Sequence, residues 1–163
     1  DIYIMNTDGS NLTQLTDDGN RDWLPKFSPD GSKIVFLRHT QYESDSFMIM
    51  NIDGSDETVL INVYQIIDYD FPLYSFSPDG STIVYSGRTN NEYYIHLLDL
   101  SGGTTIFTNN IGGSSMSPSF SPNGLKILFK SWNGIYTMNS DGSNVINILD
   151  GEESGSPSFQ PRP

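Results

Sequence analysis

The chemistry open to this 163-residue chain is set by two histidines, twenty acidic side chains and no cysteine. Without cysteine there is no thiol nucleophile, no disulfide framework and no thiolate zinc site. His39 and His96 stand far apart in sequence, and no histidine cluster has the spacing of a zinc or manganese site. His96 aligns with Tyr3, Met48 and Tyr136 of other repeats, which reads as a packing position within a strand. No G-x-S-x-G elbow is present, and the nearest run, GEESG at Gly151, has the wrong spacing. No glycine-rich loop leads into a helix to cradle phosphate. Carboxylate pairs such as Asp68 and Asp70 could serve acid–base chemistry. In so acidic a chain such pairs arise by chance, so no catalytic residue is expected.

The formal charge is −12, from 20 acids against 8 bases. That argues against nucleic acid, whose binding needs phosphates neutralised by Lys and Arg. It suits a basic protein partner or a cation, and equally plain solubility. No apolar run is long enough to cross a bilayer, and no signal-peptide pattern is read. The chain opens on Asp1 rather than Met, so it reads as a mature product or a piece of something longer. Hydrophobic residues make up 36 %, and 15 glycines and 9 prolines imply many turns and short elements.

Internal repetition organises these residues. The segment PKFSPDGSKIVF (Pro25 to Phe36) returns as YSFSPDGSTIVY (Tyr74 to Tyr85) and PSFSPNGLKILF (Pro118 to Phe129), with a truncated PSFQP at Pro157 to Pro161. The repeated Phe falls at 27, 76, 120 and 159, at spacings of 49, 44 and 39 residues. A second unit alternates with it: IYIMNTDGS from Ile2, FMIMNIDGS from Phe47, the weaker IHLLDLSGG from Ile95, and IYTMNSDGS from Ile135.

Each period predicts four short strands. Strand A ends at the repeated Phe, and Ser-Pro-Asp-Gly turns the chain, Pro presetting φ and Gly supplying positive φ. Strand B is the Ile-Val-Phe run, strand C the Ile-Tyr-Ile-Met run, and a more polar strand D follows the next Asp-Gly turn (Leu12 to Leu15, Thr58 to Ile61). Strands B and C are apolar on both alternating faces: Ile34 and Phe36 on one, Val35 and Leu37 on the other. A strand apolar on both faces must be covered on both. Four-stranded sheets stacked radially provide that cover, so the predicted fold is an all-β propeller of four-stranded antiparallel blades. A β-sandwich, the rival, would not require one unit to recur with all four strands.

The unit F-S-P-D-G-x-x-I-V-F followed by I-Y-x-M-N-x-D-G resembles the WD40-like repeat called PD40, found in TolB-like propellers and in the propeller domains of some prolyl oligopeptidase-like and tricorn-like proteases. The resemblance spans essentially the whole chain and is specific for the blade, not for one function. The copies depart in places: Asn123 replaces the turn Asp, Tyr74 the upstream Pro, and Gln160 the Ser.

Fifteen strands are expected: C and D in Asp1 to Thr16, three complete sets beginning near Asp22, Asp70 and Ser115, and a lone strand A at Ser156 to Phe159. This gives three complete blades plus a partial fourth made from both termini, with repeat units near 1–16, 17–65, 66–110, 111–150 and 151–163 of a single propeller domain or segment. Three arrangements fit: a segment of a larger propeller, as the family's usual six to eight blades imply; a closed four-bladed ring; or copies that self-associate through exposed terminal blades.

A–B and C–D turns share one side, B–C and D–A loops the other. The first side is near constant, and Asp8, Asp30, Asp53, Asp79 and Asp141 are expected to brace their own backbone. The second side varies in length and content, as recognition surfaces on repeats do. It gathers most of the acids, with Arg21, Arg38, Arg88 and Lys130 opposing them. The candidate binding face there is Asp17, Asp18, Asp22, Trp23, Tyr42, Asp68, Tyr69, Asp70, Trp132, Glu152 and Glu153, acidic side chains among aromatic anchors. Asp45, Glu92 and Asp150 are read as acids of the same loops. No metal site is expected. The weaker alternative is Ca²⁺ held by Asp22 and Asp70, which occupy nearly equivalent positions near the channel mouth.

The leading expectation is thus a non-catalytic binding or scaffold propeller, TolB-like, presenting an acidic loop face to a protein partner. No cofactor, nucleic acid or membrane insertion is expected, and composition together with the resemblance suits an extracytoplasmic (periplasmic or secreted) bacterial or archaeal protein. The alternatives are the propeller domain of a peptidase, or a polysaccharide-acting propeller, which the resemblance implies would need His and basic residues converging on one cleft.

Overall fold

The computed structural model describes residues 1–40, 44–64, 74–89, 92–101, 103, 105–107, 115–151 and 157–159. The described residues contain fourteen strands and no helix. The chain falls into two compact units, Asp1–Gln65 and Ile66–Pro163.

In the first unit, β1 (Tyr3–Ile4) and β2 (Thr13–Gln14) form a two-stranded sheet. A four-stranded antiparallel sheet follows in sequence order: β3 (Arg21–Phe27), β4 (Lys33–His39), β5 (Ser44–Asn51) and β6 (Thr58–Tyr64). Ile2 and Leu15 beside the small sheet pack on Ile34, Phe36, Met48 and Met50 of the large one. The second unit holds two more such sheets. One is β7 (Tyr74–Phe76), β8 (Thr82–Thr89), β9 (Glu92–Asp99) and β10 (Thr105–Phe107); the other is β11 (Met116–Phe120), β12 (Lys126–Ser131), β13 (Gly134–Asn139) and β14 (Ile146–Asp150). Val84, Ile95 and Leu97 of the first pack against Ile127, Phe129, Tyr136 and Met138 of the second.

These sheets are propeller blades, as the doubly apolar middle strands require. Ile34, Val35, Phe36 and Leu37 are all buried, as are Val84 and Leu128. The turns behave alike in every copy. The Gly31 N–H donates to the Ser28 carbonyl at 2.9 Å, and Ser77–Gly80 and Ser121–Gly124 repeat that bond. The closing Gly residues take φ of 71°, 74° and 72°, which only glycine adopts freely.

Two features depart from the sequence reading. Residues 157–159, within the span Ser156 to Phe159 expected as a lone strand A, form no strand and pair with no described strand. Ser158 and Phe159 instead help line an open groove of about 470 Å³ with Phe76, Pro78, Phe120 and Pro122. Strands β3 and β11 also carry bulges, between Trp23 and Lys26 and between Met116 and Ser119. Leu24 (φ 49°) and Ser117 (φ 55°) sit at their centres, each just before a proline. Proline supplies no ladder N–H, and a bulge is where a strand tolerates it.

Candidate functional site

The Asp-Gly turns are self-contained. The Asp30 carboxylate accepts the Ser32 N–H at 3.0 Å and the Ser28 hydroxyl at 2.6 Å. Asp8, Asp53, Asp79 and Asp141 accept the N–H of the residue two positions on, and Asn123 does the same with its amide oxygen. The Ser28 hydroxyl and the Ser32 N–H and hydroxyl hold the Asp30 carboxyl down to about 2, and Ser77 with Ser81 does the same for Asp79. These carboxylates are spent on the fold, as expected.

The chemistry of the first unit gathers at the other end of β3 and β4, around Arg38. Register sets Asp22 directly opposite Arg38. The guanidinium forks onto that carboxylate, Nε to Oδ1 and Nη2 to Oδ2, both at 2.7 Å. It lies 5.4 Å over the Phe36 ring, folded back along its own strand. Nη1 thereby reaches Glu57 Oε1 at 2.5 Å and Asp18 Oδ2 at 2.7 Å. The Asp22 side chain is fully buried, and Arg38 nearly so. The carboxylate hydrogen bonds, Asp22 first, raise the Arg38 pKa further against the cost of burial. Burial pushes the Asp18 carboxyl up, but the Asn20 hydrogen bonds and the Arg38 charge outweigh it and leave it below the usual range. Three carboxylates share one guanidinium, so the cluster stays negative.

Next to it, His39 pairs across the hairpin with Asp45. Nδ1 lies 2.9 Å from Asp45 Oδ1; the carboxylate is buried, while the imidazole is 45 % exposed. A carboxylate on Nδ1 orients the ring and turns Nε2 outward, the arrangement of an imidazole that contacts a ligand or moves a proton. His96 does the reverse. It stacks on Tyr85 at 4.9 Å, and Nε2 lies 3.3 Å from the Gly87 carbonyl. Burial lowers its pKa, against the smaller opposing effect of that carbonyl.

The described residues of the predicted loop face stand in different settings. Asp22 and Asp18 are engaged by Arg38 rather than presented as free loop acids. Both Asp22 oxygens accept from a guanidinium, so that carboxylate already has its cation. Arg38 lies within β4, Asp45 within β5, Glu92 within β9 and Asp150 within β14, because the ladders run further toward the loops than the turn residues suggested. Asp17 is exposed, and Trp23 is half-buried with the Arg21 guanidinium 5.7 Å over its ring. In the second unit Trp132 is 67 % exposed at the β12–β13 turn. Tyr42, Asp68, Tyr69, Asp70, Glu152 and Glu153 lie outside the described residues. Among the described residues no group of three His, Cys, Asp or Glu could hold a metal ion. Sequence reasoning missed Glu57, whose turn belongs to the opposite side, and the His39–Asp45 pair.

A family comparison identifies this architecture. Residues 1–161 match the TolB beta propeller domain family, PD40. The chain belongs to that family.

Among curated relatives of this PD40 chain, a Protein TolB homolog of Chlorobium luteolum is 31 % identical over 131 residues, covering 80 % of this chain and 28 % of the relative. The chain thus spans under a third of that relative's length. Among solved structures, TolB from Acinetobacter baumannii superposes with a TM-score of 0.73 at 20 % identity, covering 90 % of this chain and 36 % of that one. An oligogalacturonate lyase from Vibrio parahaemolyticus superposes with a TM-score of 0.66 at 16 % identity, covering 93 % and 46 %. At such identities the structural likeness concerns the fold alone.

Proposed function

We propose that this PD40 chain is a non-catalytic binding or scaffold propeller whose variable-loop face, acidic and set with aromatic side chains, receives a basic or polar protein partner outside the cytoplasm. The observation that carries the reading is the contrast between the two ends of each blade. Turn carboxylates at one end are consumed by their own backbone, whereas Asp17 and Trp132 at the other end are exposed. An exposed aromatic ring and an exposed carboxylate are each common anchors for cationic side chains. The TolB-like relatives support the class of protein, and the resemblance to envelope proteins supports the compartment.

The test is binding of Lys-rich against neutral peptides by calorimetry. Preference for the basic peptide, reduced by Trp132→Ala and by Asp17→Asn, supports the reading. Equal binding to both peptides, unmoved by these changes, refutes it.

A polysaccharide-acting propeller is the second reading, favoured by the oriented imidazole of His39. It requires turnover of an acidic oligosaccharide that His39→Ala abolishes while the fold stays intact.

A further inference from the structure

Two asparagines of the chain are followed by glycine, in Asn123–Gly124 and Asn133–Gly134. A glycine there has no Cβ to keep its backbone nitrogen away from the preceding side-chain amide, so that nitrogen can attack the asparagine Cγ. Both asparagines are exposed, yet the fold holds them differently. Asn123 does the work that Asp30 and Asp79 do in the other copies of its turn. Its Oδ1 accepts the Leu125 N–H at 3.1 Å and the Ser121 hydroxyl at 2.7 Å. The Gly124 N–H donates to the Ser121 carbonyl at 2.8 Å. The amide and the nitrogen that would attack it are thus both engaged in closing one turn.

Asn133 sits at the tip of the β12–β13 hairpin, where Ser131 pairs with Gly134. Its Oδ1 accepts the Tyr136 hydroxyl at 2.9 Å. That donor draws electrons from Cγ and comes from a side chain, so it does not tie the amide to the backbone of the turn. The Asn133 carbonyl accepts the Gly151 N–H at 3.1 Å. This oxygen belongs to the same peptide as the Gly134 nitrogen, so a donor on it stabilises the negative charge that appears when the nitrogen loses its proton. One bond activates the carbon that is attacked and the other the nitrogen that attacks. The glycine itself is fixed, because a Cβ at position 134 would run into the Leu149 carbonyl oxygen.

We propose that Asn133 is a spontaneous deamidation site set up by Tyr136 and Gly151, while Asn123 is protected in its closed turn. The Gly134 nitrogen bonds to Cγ of Asn133, the bond from Cγ to the amide nitrogen breaks, and ammonia leaves with the proton that Gly134 gave up. Water then opens the cyclic imide at either carbonyl, giving aspartate or isoaspartate at position 133. The aspartate places a new negative charge next to the exposed Trp132. The isoaspartate lengthens the backbone beside Gly134, where there is no room even for a Cβ, and loosens the pairing of β13 with β14.

Ageing the intact folded chain for days at neutral pH in water enriched in heavy oxygen, followed by peptide mapping and mass spectrometry, tests this. Asn133 is expected to lose its amide several-fold faster than Asn123, with the heavy label in both products. The gap is expected to close when the same ageing is done in denaturant. Tyr136→Phe, checked as folded by circular dichroism, is expected to slow Asn133 several-fold and leave Asn123 unchanged. Equal rates at the two sites of the folded chain, or a faster Asn123, overturn the inference. So does a gap that persists in denaturant, since the fold is then not its cause, and so does a folded Tyr136→Phe chain that ages at the wild-type rate. The wild-type comparison decides the matter whether or not that variant folds.

Discussion

Arg38 in the first complete blade and Gly87 in the second stand at one place in the repeat, eleven residues after the repeated Phe. They are opposites in size and charge, yet both sites are filled. Around Arg38 the chain supplies Asp22, Asp18 and Glu57, and a buried guanidinium is matched by carboxylates. At Gly87 a Cβ would lie 2.8 Å from His96 Nε2 and 3.1 Å from the Tyr85 ring, so the imidazole occupies the space a side chain would take. The third blade has Ser131 at this place and Ser115 where the first has Asp22. Their hydroxyls are buried and form no hydrogen bond among the described residues. The backbone repeats, and each blade solves the same small volume with its own chemistry. What has to agree is the set of neighbours, not the residue.

The strongest way to break that comparison is to remove the charge from one member of a set. Arg38→Met should cost about 3–5 kcal/mol in denaturant unfolding, because Asp22 stays buried without a cation. Arg38→Met with Asp22→Leu should recover much of it. If the double variant is as unstable as the single, the pair is not what holds this place. Gly87→Ala should cost about 1–3 kcal/mol through the clash with His96, and His96→Ala in the same chain should relieve the overlap. Ser131→Ala should go the other way, gaining about 1 kcal/mol, since it deletes a buried hydroxyl that bonds no described protein group.

pH sharpens the comparison further. His96 has a depressed pKa from burial, so below the ordinary imidazole value of about 6.5 the unfolded chain takes up a proton before the folded one. Stability should be complete above that value and fall as the pH drops below it. Replacing His96 by Phe should flatten this dependence between neutral and mildly acidic pH. The smallest effect belongs to the turns. Asp30 and Asp79 titrate at about 2, below the ordinary Asp value of about 3.9. Their contribution is present above that ordinary value and lost as the pH falls through about 2. Carboxyl titration by NMR should find these low midpoints, and Ser28→Ala should raise that of Asp30.

The fold was legible because each strand-and-turn unit recurs, and because Ile34 to Leu37 have no polar face to turn to water. The site was legible only in part, and the bulge at Leu24 is a physical reason. Counting back from the Ser28–Lys33 turn without a bulge pairs Asp22 with His39. The extra residue shifts the ladder by one and sets Asp22 opposite Arg38, and such a slip exchanges the faces on which side chains meet. Leu24–Pro25 and Ser117–Pro118 carried the clue, since a proline well inside a strand calls for a bulge. Glu57 was beyond such counting, because it reaches Arg38 only after the guanidinium folds back over Phe36.

The Asp-Gly turns have a consequence for how the chain comes together. Each closes through bonds that span five residues or fewer, so closing a turn needs no distant segment. Contacts this local are entropically cheap and quick to make. A polypeptide assembled from such pre-closed pieces grows by copying a piece, since a duplicated segment brings its own corner with it and asks of its surroundings only a greasy surface to lie on.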